Sequence, residues 1–263
     1  LKEDTLPALI EWSKEKKYPF FFITEVSINL ADDDELMRLM VEAGFNSIFV
    51  GIETPNNESL IECGKMQNLK RDLVESVNRI QRSGMLVSGG FIIGFDNDTE
   101  KVFDEQIDFI QRSGITSAMV GLLNAPTGTK LYNRLKEEGR LLEMWSGNNM
   151  DANVNFVPKM EWKNLIRGYS RLLNTLYSQE EYYNRMKVFL NEYNVPVWTP
   201  KVINLEQLKA FFRLLWLLGI IEKGKKYFWK LFFISLWKYP RKFPIAMTLA
   251  VYGFHFRRVI RTV

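Results

Sequence analysis

The feature that most constrains the fold is a helix–glycine–strand unit that recurs along the first half of the chain. The segment Gln81-Arg82-Ser83-Gly84 returns as Gln111-Arg112-Ser113-Gly114, and Glu42-Ala43-Gly44 stands in the same context upstream. Apolar residues at spacings of three and four precede each glycine, as in an amphipathic helix, and a short apolar run follows it. Glycine commonly ends a helix in the left-handed conformation. The repeat therefore predicts βα units and a parallel sheet.

The predicted strands carry one apolar and one polar or glycine-rich face. We place them near 21–29, 47–54, 87–95 and 117–124, after a first helix. Parallel strands buried under helices on both sides are apolar on both faces, whereas a polar face suits the lumen of an open or partial barrel. The sequence thus predicts an α/β fold: an incomplete (β/α) TIM-like partial barrel of about four parallel strands, followed by an α-helical C-terminal region.

Composition excludes several kinds of site. With 46% hydrophobic and 25% charged residues the chain has material for a sizeable core. A single cysteine, Cys63, excludes metal or iron–sulfur sites that take several thiolates from this chain, and the lone His255 gives little support to a histidine-based triad or a zinc site. One cysteine and no signal-peptide pattern predict a reducing, cytosolic compartment.

The last third of the chain is basic and aromatic. Residues 201–263 contain 13 Lys and Arg but only two acidic residues, whereas residues 1–200 contain 22 basic and 29 acidic residues. We predict three parts: a barrel over 1–145, a helical extension and linker over 146–200, and a basic helical tail over 201–263. The longest uncharged run in the tail has 14 residues, too few for a spanning helix, which needs about 20.

Two interpretations of the tail remain open. Helices with Lys and Arg beside Trp and Phe suit peripheral contact with an anionic membrane, here on its inner, cytoplasmic face. Alternatively, the tail forms a bundle that packs on the barrel and keeps its lysines in water. Nucleic-acid binding has the charge but no recognisable motif, so no nucleic acid is expected.

Candidate binding residues cluster toward the ends of the predicted strands. Glu53 could accept hydrogen bonds from paired hydroxyls, such as those of a ribose, or pair with a neighbouring strand instead. Glu25, Ser27 and Asn29 form a polar stripe that could hold a small ligand or satisfy only each other. Bare backbone in the run from Gly89 to Asp96 could lie close to a flat group, and Asp98-Thr99 stands before the next helix.

These residues lie in motifs that resemble radical S-adenosylmethionine enzymes, in particular the class that usually carries a cobalamin-binding domain. The resemblance covers about 1–160 through TEVSINLADDDELMRLMVEAGF, SIFVGIETPN, GGFIIGFDNDT, GLLNAPTGTKLYNRLKEEGRL and NFVPKM. It implies a (β/α)6 partial barrel in which a 4Fe–4S cluster on CxxxCxxC binds S-adenosylmethionine. Reductive cleavage then gives a 5′-deoxyadenosyl radical, and this class often methylates an unactivated carbon with cobalamin.

When the family's motifs are matched to the positions of this sequence, the resemblance implies a role for each candidate residue. Gly51 to Thr54 look like the ribose-contacting motif, which gives Glu53 and Thr54 that role. The adenine would pack against two further groups of residues on the later strands: Gly90, Ile92 and Gly94, and then Leu122, Leu123 and Asn124. Glu25, Ser27 and Asn29 would face cofactor or substrate.

The sequence departs from the family where the cluster should be. It has no CxxxCxxC, and Cys63 alone cannot supply three thiolates. We therefore expect a chain truncated before the third barrel strand, whose parent is the enzyme and which alone is inactive. The family's Pro-Gly-Thr turn is also lengthened here to Pro126-Thr127-Gly128-Thr129.

Three functional hypotheses follow. The first is a fragment of a radical S-adenosylmethionine enzyme, methyltransferase-like, acting on an apolar or lipid-like small molecule, a substrate class indicated only by the aromatic tail. The alternatives are a non-iron (β/α)-barrel enzyme that binds a nucleotide-like ligand and a membrane-associated scaffold without catalysis. The sequence identifies no catalytic residue and no metal ligand.

Overall fold

The structure, a computed structural model, describes residues 1–142, 154–196 and 205–260. Its four strands are β1 (Phe22–Val26), β2 (Phe45–Glu53), β3 (Leu86–Ile93) and β4 (Ser117–Leu122). The helices of the first half are α1 (Thr5–Glu15), α2 (Asp34–Ala43), α3 (Asn57–Glu62), α4 (Leu73–Ser83), α5 (Lys101–Ser113) and α6 (Lys130–Glu137). Those of the second half are α7 (Trp162–Leu176), α8 (Gln179–Glu192), α9 (Leu205–Trp216), α10 (Lys225–Lys238) and α11 (Phe243–Ile260). Short 3₁₀ turns cover Ile28–Asp32, Met66–Asn68 and Pro240–Lys242, and a π-helical turn covers Leu217–Ile221.

The strands form one sheet in the order β1-β2-β3-β4, and every pair is parallel. Each crossover between them contains at least one helix, as parallel connections require. The glycines of the repeat end their helices as expected, since Gly44, Gly84 and Gly114 all adopt the left-handed conformation after α2, α4 and α5. The prediction of a parallel α/β sheet with a helical C-terminal region is confirmed.

The two faces of the sheet differ. On the first, here called the covered face, the side chains are buried beneath α2, α4, α5 and α7: Ile48, Val50, Ile52, Val87, Phe91, Ile93, Ala118, Val120 and Leu122. On the second, the open face, alternate residues of the same strands are half-buried or exposed, and Met119 is 53% exposed. The predicted polar and glycine-rich side of the strands is this open face.

The first strand is shorter than predicted. It ends at Val26, and the following 3₁₀ turn is closed by the Leu30 amide donating to the Ser27 carbonyl at 3.1 Å. The turn directs Ile28 and Leu30 into the core, where both are buried. Because Ser27 precedes this turn and Asn29 lies within it, the prediction that they continue the strand face of Glu25 is wrong.

The C-terminal helices pack as a bundle on the βα region. Helices α7 and α8 lie against α5, and α10 and α11 lie against α8. The Tyr182 hydroxyl donates to the Leu249 carbonyl at 2.7 Å, and Lys242 Nζ donates to the Leu190 carbonyl at 2.8 Å. None of the helices described is both long and apolar enough to cross a membrane. The C-terminal helices thus pack as the bundle interpretation of the tail predicts. Contact of the tail with a membrane surface stays a prediction.

A buried arginine lies at the junction between sheet and bundle. Arg185 of α8 is fully buried, and its Nη1 donates to Gln111 Oε1 at 2.8 Å. Its guanidinium lies 5.3 Å from the ring centroid of Tyr177 and 5.1 Å from that of Tyr182. The Tyr177 hydroxyl in turn donates to the Ala118 carbonyl of β4 at 2.7 Å. A continuous set of contacts thus runs from β4 through Arg185 to the helix that contacts α11.

The predicted part boundaries at 145/146 and 200/201 lie outside the described residues, so the three-part division stays a prediction.

Candidate functional site

The most unusual backbone of the sheet lies at the carboxyl end of β2. Glu53 has a φ of 65°, in the left-handed region that non-glycine residues avoid, and the register with β3 shifts between Gly51 and Glu53. Such a conformation costs on the order of 1–2 kcal/mol. It persists only where neighbouring groups hold it, and it concentrates at binding and catalytic sites.

Side chains from two other segments hold this backbone. Asn68 Nδ2 donates to the Ile52 carbonyl at 3.0 Å, and Gln106 Nε2 of α5 donates to the carbonyls of Ile92 at 2.9 Å and Glu53 at 3.4 Å. Both amides are buried. Buried carbonyls at an irregular strand end need such donors, so Asn68 and Gln106 fix the position of Glu53. Neither contact was predictable from the sequence, because both join segments that are distant along the chain.

The Glu53 carboxylate lies on the open face and is paired with a lysine. Lys65 Nζ is 2.8 Å from Glu53 Oε1, and the two side chains are 32% and 16% exposed. The partner comes from the loop after α3 and not from a neighbouring strand. A Cβ at Gly51 would lie 2.6 Å from Oε1, so glycine at this position makes room for the carboxylate. A carboxylate has about four acceptor positions, which leaves capacity for hydroxyl donors of a ligand.

The open face next to Glu53 is not bare backbone. Gly90 pairs in register with Gly51, but the ring of Phe49 lies over it, and a Cβ at Gly90 would approach Phe49 Cζ to 2.7 Å. The Phe49 ring thus covers one side of the half-buried Gly90, and the adenine contact of Gly90 stays a prediction. Half-buried Ile92, paired with Gly121, continues the same face. A flat group lying on this face would contact the Phe49 ring and these residues.

Other candidate residues turn away from the open face. Thr54 is fully buried, and its hydroxyl accepts a hydrogen bond from the Asn56 amide at 3.2 Å. Gly94, with a φ of 105°, lies just beyond β3, where its amide donates to Asp98 Oδ2 at 2.8 Å. Both residues shape the turns at the carboxyl edge of the sheet.

The residues that end β4 are tied to the segment that follows α6. Leu122 is buried on the covered face, and the Leu123 amide donates to the Ile93 carbonyl at 2.8 Å. Asn124 Oδ1 accepts from the Asn155 amide at 3.1 Å, while Asn155 Oδ1 accepts from the Ala125 amide at 2.8 Å. Of the three predicted contacts, only the half-buried Asn124 presents a polar side chain at this edge.

Two aspartates after β3 organise the same edge, and the sequence indicated neither role. Asp98 does not cap α5, which begins at Lys101. It accepts from Ser59 Oγ at 2.7 Å and from the Gly94 and Phe95 amides at 2.8 and 3.1 Å. Burial raises the pKa of this carboxyl. The aspartate thereby joins α3 to the turn after β3.

Asp96 is the centre of an ion-pair network. Arg140 contacts both of its carboxylate oxygens, Nη2 to Oδ1 at 2.7 Å and Nη1 to Oδ2 at 2.9 Å, and Arg134 Nη1 reaches Oδ2 at 2.7 Å. The two guanidinium groups lower the pKa of Asp96 to about 2. Arg134 also contacts Glu62 of α3 at 3.1 Å, so the network links α3, α6 and the loop after β3.

Potential metal ligands do not gather near this edge. In the part of the chain that the structure describes, no group of three His, Cys, Asp or Glu side chains could hold a metal ion. Cys63 is a free, exposed thiol. The assembled site is thus an open apolar surface around Phe49 with one carboxylate, Glu53, at its edge. Glu25 is exposed on the neighbouring strand, where it pairs in register with Phe49.

A comparison with known families matches residues 129–263 to a domain of unknown function, DUF4070. This match covers the region from α6 to the end of the chain, about half of its length. The chain belongs to the DUF4070 family. The family model contains the C-terminal helices but not the sheet that carries Glu53.

One curated relative of this chain also covers the sheet. An uncharacterized methyltransferase of Synechocystis sp. is 36% identical over 262 residues, 97% of this chain and 49% of the relative. The hopanoid C-2 methylase of Rhodopseudomonas palustris is 37% identical over 154 residues, 59% of this chain and 29% of the relative. The bacteriochlorophyllide d C-12(1)-methyltransferase of Chlorobaculum tepidum is 24% identical over 162 residues, which are 62% of this chain and 35% of the relative. The chain spans about half the length of the first relative and about a third of the others.

Proposed function

We propose that this chain is part of a methyltransferase of the radical S-adenosylmethionine type, and that the adenosyl group of the cofactor lies on the open face of the sheet. The single observation that carries the proposal is the strained Glu53, held by Asn68 and Gln106 at the carboxyl edge. Parallel α/β sheets and barrels bind ligands at this edge. The names of the relatives, two methyltransferases and a methylase, agree with it.

The residues of the open face fit an adenosyl group. The Glu53 carboxylate accepts hydrogen bonds from the two ribose hydroxyls, and the Lys65 ammonium, 2.8 Å from Oε1, holds that carboxylate in place. The ring of Phe49 and the side chain of Ile92 give the adenine an apolar surface, and Asn124 supplies an amide at the next strand end. Bound S-adenosylmethionine would supply the reactive group of the reaction. The chain's own residues position it and exclude water from one side.

The residues do not fit an iron–sulfur cluster. Such a cluster takes three thiolates in this family, and the sequence contains only Cys63. No described residue is assigned to cobalamin either. We therefore derive no step through these two groups and assign this chain the binding of the adenosyl group alone.

The proposed substrate is an apolar, lipid-like small molecule. Two relatives carry the names of a hopanoid methylase and a bacteriochlorophyllide methyltransferase, both of which denote large, mainly apolar substrates. The open face agrees with this, because Met119, which pairs in register with Gly90, is exposed beside the proposed adenosyl position. An apolar substrate would bury this side chain next to the cofactor.

Calorimetric titration of the whole chain with S-adenosylhomocysteine tests the adenosyl site. We expect saturable binding at one site, and Glu53→Gln should weaken it about tenfold or more, since hydrogen bonds to a charged group contribute about 1.5–3 kcal/mol. Glu58→Gln, at an exposed carboxylate on α3, is the matched control and should bind as the unmodified chain does.

Two results would overturn the proposal. In the first, Glu53→Gln and Glu58→Gln bind S-adenosylhomocysteine equally, or the unmodified chain does not bind it. In the second, adenosine 5′-monophosphate binds as tightly as S-adenosylhomocysteine, which would favour the enzyme for a nucleotide-like ligand without iron.

A further inference from the structure

The outer side of the C-terminal bundle carries an apolar surface that the methyltransferase proposal does not explain. Large apolar side chains point outward from α9 and the π-helical turn at intervals of four: Leu208, Phe212, Trp216 and Ile220. Phe212 is 60% exposed and Trp216 is 59% exposed. Monomeric proteins rarely leave such contiguous apolar surface in water.

A second stripe of aromatic side chains continues this surface on α10. Trp229, Phe233 and Trp237 follow one another at intervals of four, with ring centroids 5.8 and 5.4 Å apart. Trp237, at the end of the stripe, is 78% exposed. Three aromatic rings thus lie in line along one side of the helix.

The two stripes are neighbours. The Trp229 indole donates from Nε1 to the Gly219 carbonyl of the π-helical turn at 3.0 Å, and the rings of Phe211 and Phe232 lie 6.4 Å apart between α9 and α10. Together the outward residues form what we call the aromatic face: Leu208, Phe212, Trp216, Ile220, Phe233 and Trp237.

The charge around the aromatic face is strongly positive. Residues 205–260 contain 11 Lys and Arg and only two acids, Glu206 and Glu222. Glu206 pairs with Lys209 at 2.8 Å, and Glu222 Oε1 accepts from Gln179. The exposed Arg213 and Lys230 lie on the same helices as the stripes. A partner must therefore combine an apolar interior with negative charge at its surface.

We propose that the aromatic face docks on the surface of an anionic lipid bilayer, with α9 and α10 lying in the plane of the interface. Trp and Phe side chains enter the boundary between headgroups and acyl chains, and Lys and Arg contact the anionic headgroups. A protein partner or a second copy of this chain would not require both the aromatic stripes and the cationic surround. The inference concerns the C-terminal helices alone and goes beyond methyl transfer.

Co-sedimentation of the whole chain with vesicles tests this docking. We expect binding to phosphatidylcholine vesicles that contain phosphatidylserine, and much weaker binding to phosphatidylcholine alone. The triple variant Phe212→Ser, Trp216→Ser, Trp237→Ser should lose about tenfold or more in affinity, since it removes three exposed aromatic side chains that the bilayer would bury. The double variant Phe20→Ser, Trp162→Ser removes exposed aromatics outside the face, 62% and 42% exposed, and should bind normally.

A charge variant separates the two contributions. Arg213→Gln with Lys230→Gln should weaken binding to phosphatidylserine vesicles about 25-fold, because each of the two cations near an anionic surface strengthens binding about fivefold. Lys130→Gln with Lys136→Gln, at exposed lysines of α6, is its control and should have no effect. Circular dichroism of every variant establishes that it is folded before binding is compared.

Three outcomes would overturn the docking. One is equal binding of the unmodified chain and the triple variant to phosphatidylserine vesicles, and another is the absence of binding to either kind of vesicle. The third is a dimer, seen by sedimentation velocity without lipid, that the triple variant abolishes, since the face would then join two copies. S-adenosylhomocysteine binding is measured without vesicles, so failure of the adenosyl site and failure of the docking are separate results.

Discussion

The covered and open faces of the same four strands differ in what they contribute. The covered face buries Ile, Val and Phe side chains under helices, and each buried side chain of this size stabilises the fold by about 1.5–3 kcal/mol. The open face buries little, and its carboxyl edge holds a residue in a conformation that costs free energy. The apolar packing on the covered face therefore offsets the free-energy cost of the strained backbone of Glu53 on the open face.

The largest effect should come from a truncation on the covered face. Phe91 is buried and packs against Phe109 of α5, with ring centroids 5.9 Å apart. Phe91→Ala should lower the free energy of unfolding by about 3–5 kcal/mol, because it removes apolar contacts and leaves a cavity. Urea denaturation followed by circular dichroism measures this change.

The matching truncation on the open face is the control. Met119 belongs to the neighbouring strand but is 53% exposed, so Met119→Ala should change the free energy of unfolding by less than about 0.5 kcal/mol. Equal losses for the two variants would contradict the distinction between the faces.

This distinction was predictable from the sequence because it depends on local patterns. Alternation along each strand and glycine after each helix identified the strands, their parallel direction and the side that helices leave open. The 3₁₀ turn after Val26 was not predictable, since it depends on Ile28 and Leu30 finding space in a core assembled from distant segments. The predicted first strand, whose alternation was continued through Ser27 and Asn29, is therefore longer than the observed strand.

A smaller effect is expected at the carboxyl edge, where polar contacts replace apolar burial. Asp96→Asn should lower the free energy of unfolding at pH 7 by about 2 kcal/mol, because it removes charged hydrogen bonds with Arg134 and Arg140. The folded-state pKa of Asp96, about 2, lies below its ordinary value of 3.8. Its contribution is therefore complete above pH about 4 and is lost as the pH falls through about 2.

Urea midpoints at several pH values between 2 and 7 test this dependence. The unmodified chain should lose stability more steeply below pH about 4 than Asp96→Asn does. Asp108→Asn removes an exposed pair with Arg112 and should cost less than about 0.5 kcal/mol at pH 7. Identical pH profiles for the unmodified chain and Asp96→Asn would show that Asp96 is not the group that titrates.

The smallest effect should have the opposite sign. Glu53→Gly relieves the left-handed backbone at a φ of 65° and removes an ion pair with Lys65 that contributes little at a partly exposed site. We expect thermal denaturation to show a gain of up to about 1 kcal/mol together with loss of S-adenosylhomocysteine binding. Glu53→Gln keeps the strained backbone and should lose binding without that gain. A loss of stability in Glu53→Gly would show that Glu53 is there for structural reasons.

The candidate site itself could be predicted only in part. Glu53 was identified because a carboxylate at a strand end is visible in the sequence. Its left-handed conformation and the support from Asn68 and Gln106 depend on contacts between distant segments. The position of the Phe49 ring over Gly90 depends on the register of β2 and β3, which the order of residues alone does not specify. The burial of Thr54 was not predictable either, since it depends on the turn after Glu53, and its ribose contact stays a prediction.

Arg185 has a consequence for how this protein can evolve. Its guanidinium lies between Gln111 of α5, which belongs to the region of the sheet, and the rings of Tyr177 and Tyr182, which belong to the C-terminal helices. A recombinant that received the C-terminal helices without the matching α5 would inherit an enclosed cation that lacks its Gln111 partner. We therefore expect recombination between related genes to transfer the sheet and the C-terminal helices together.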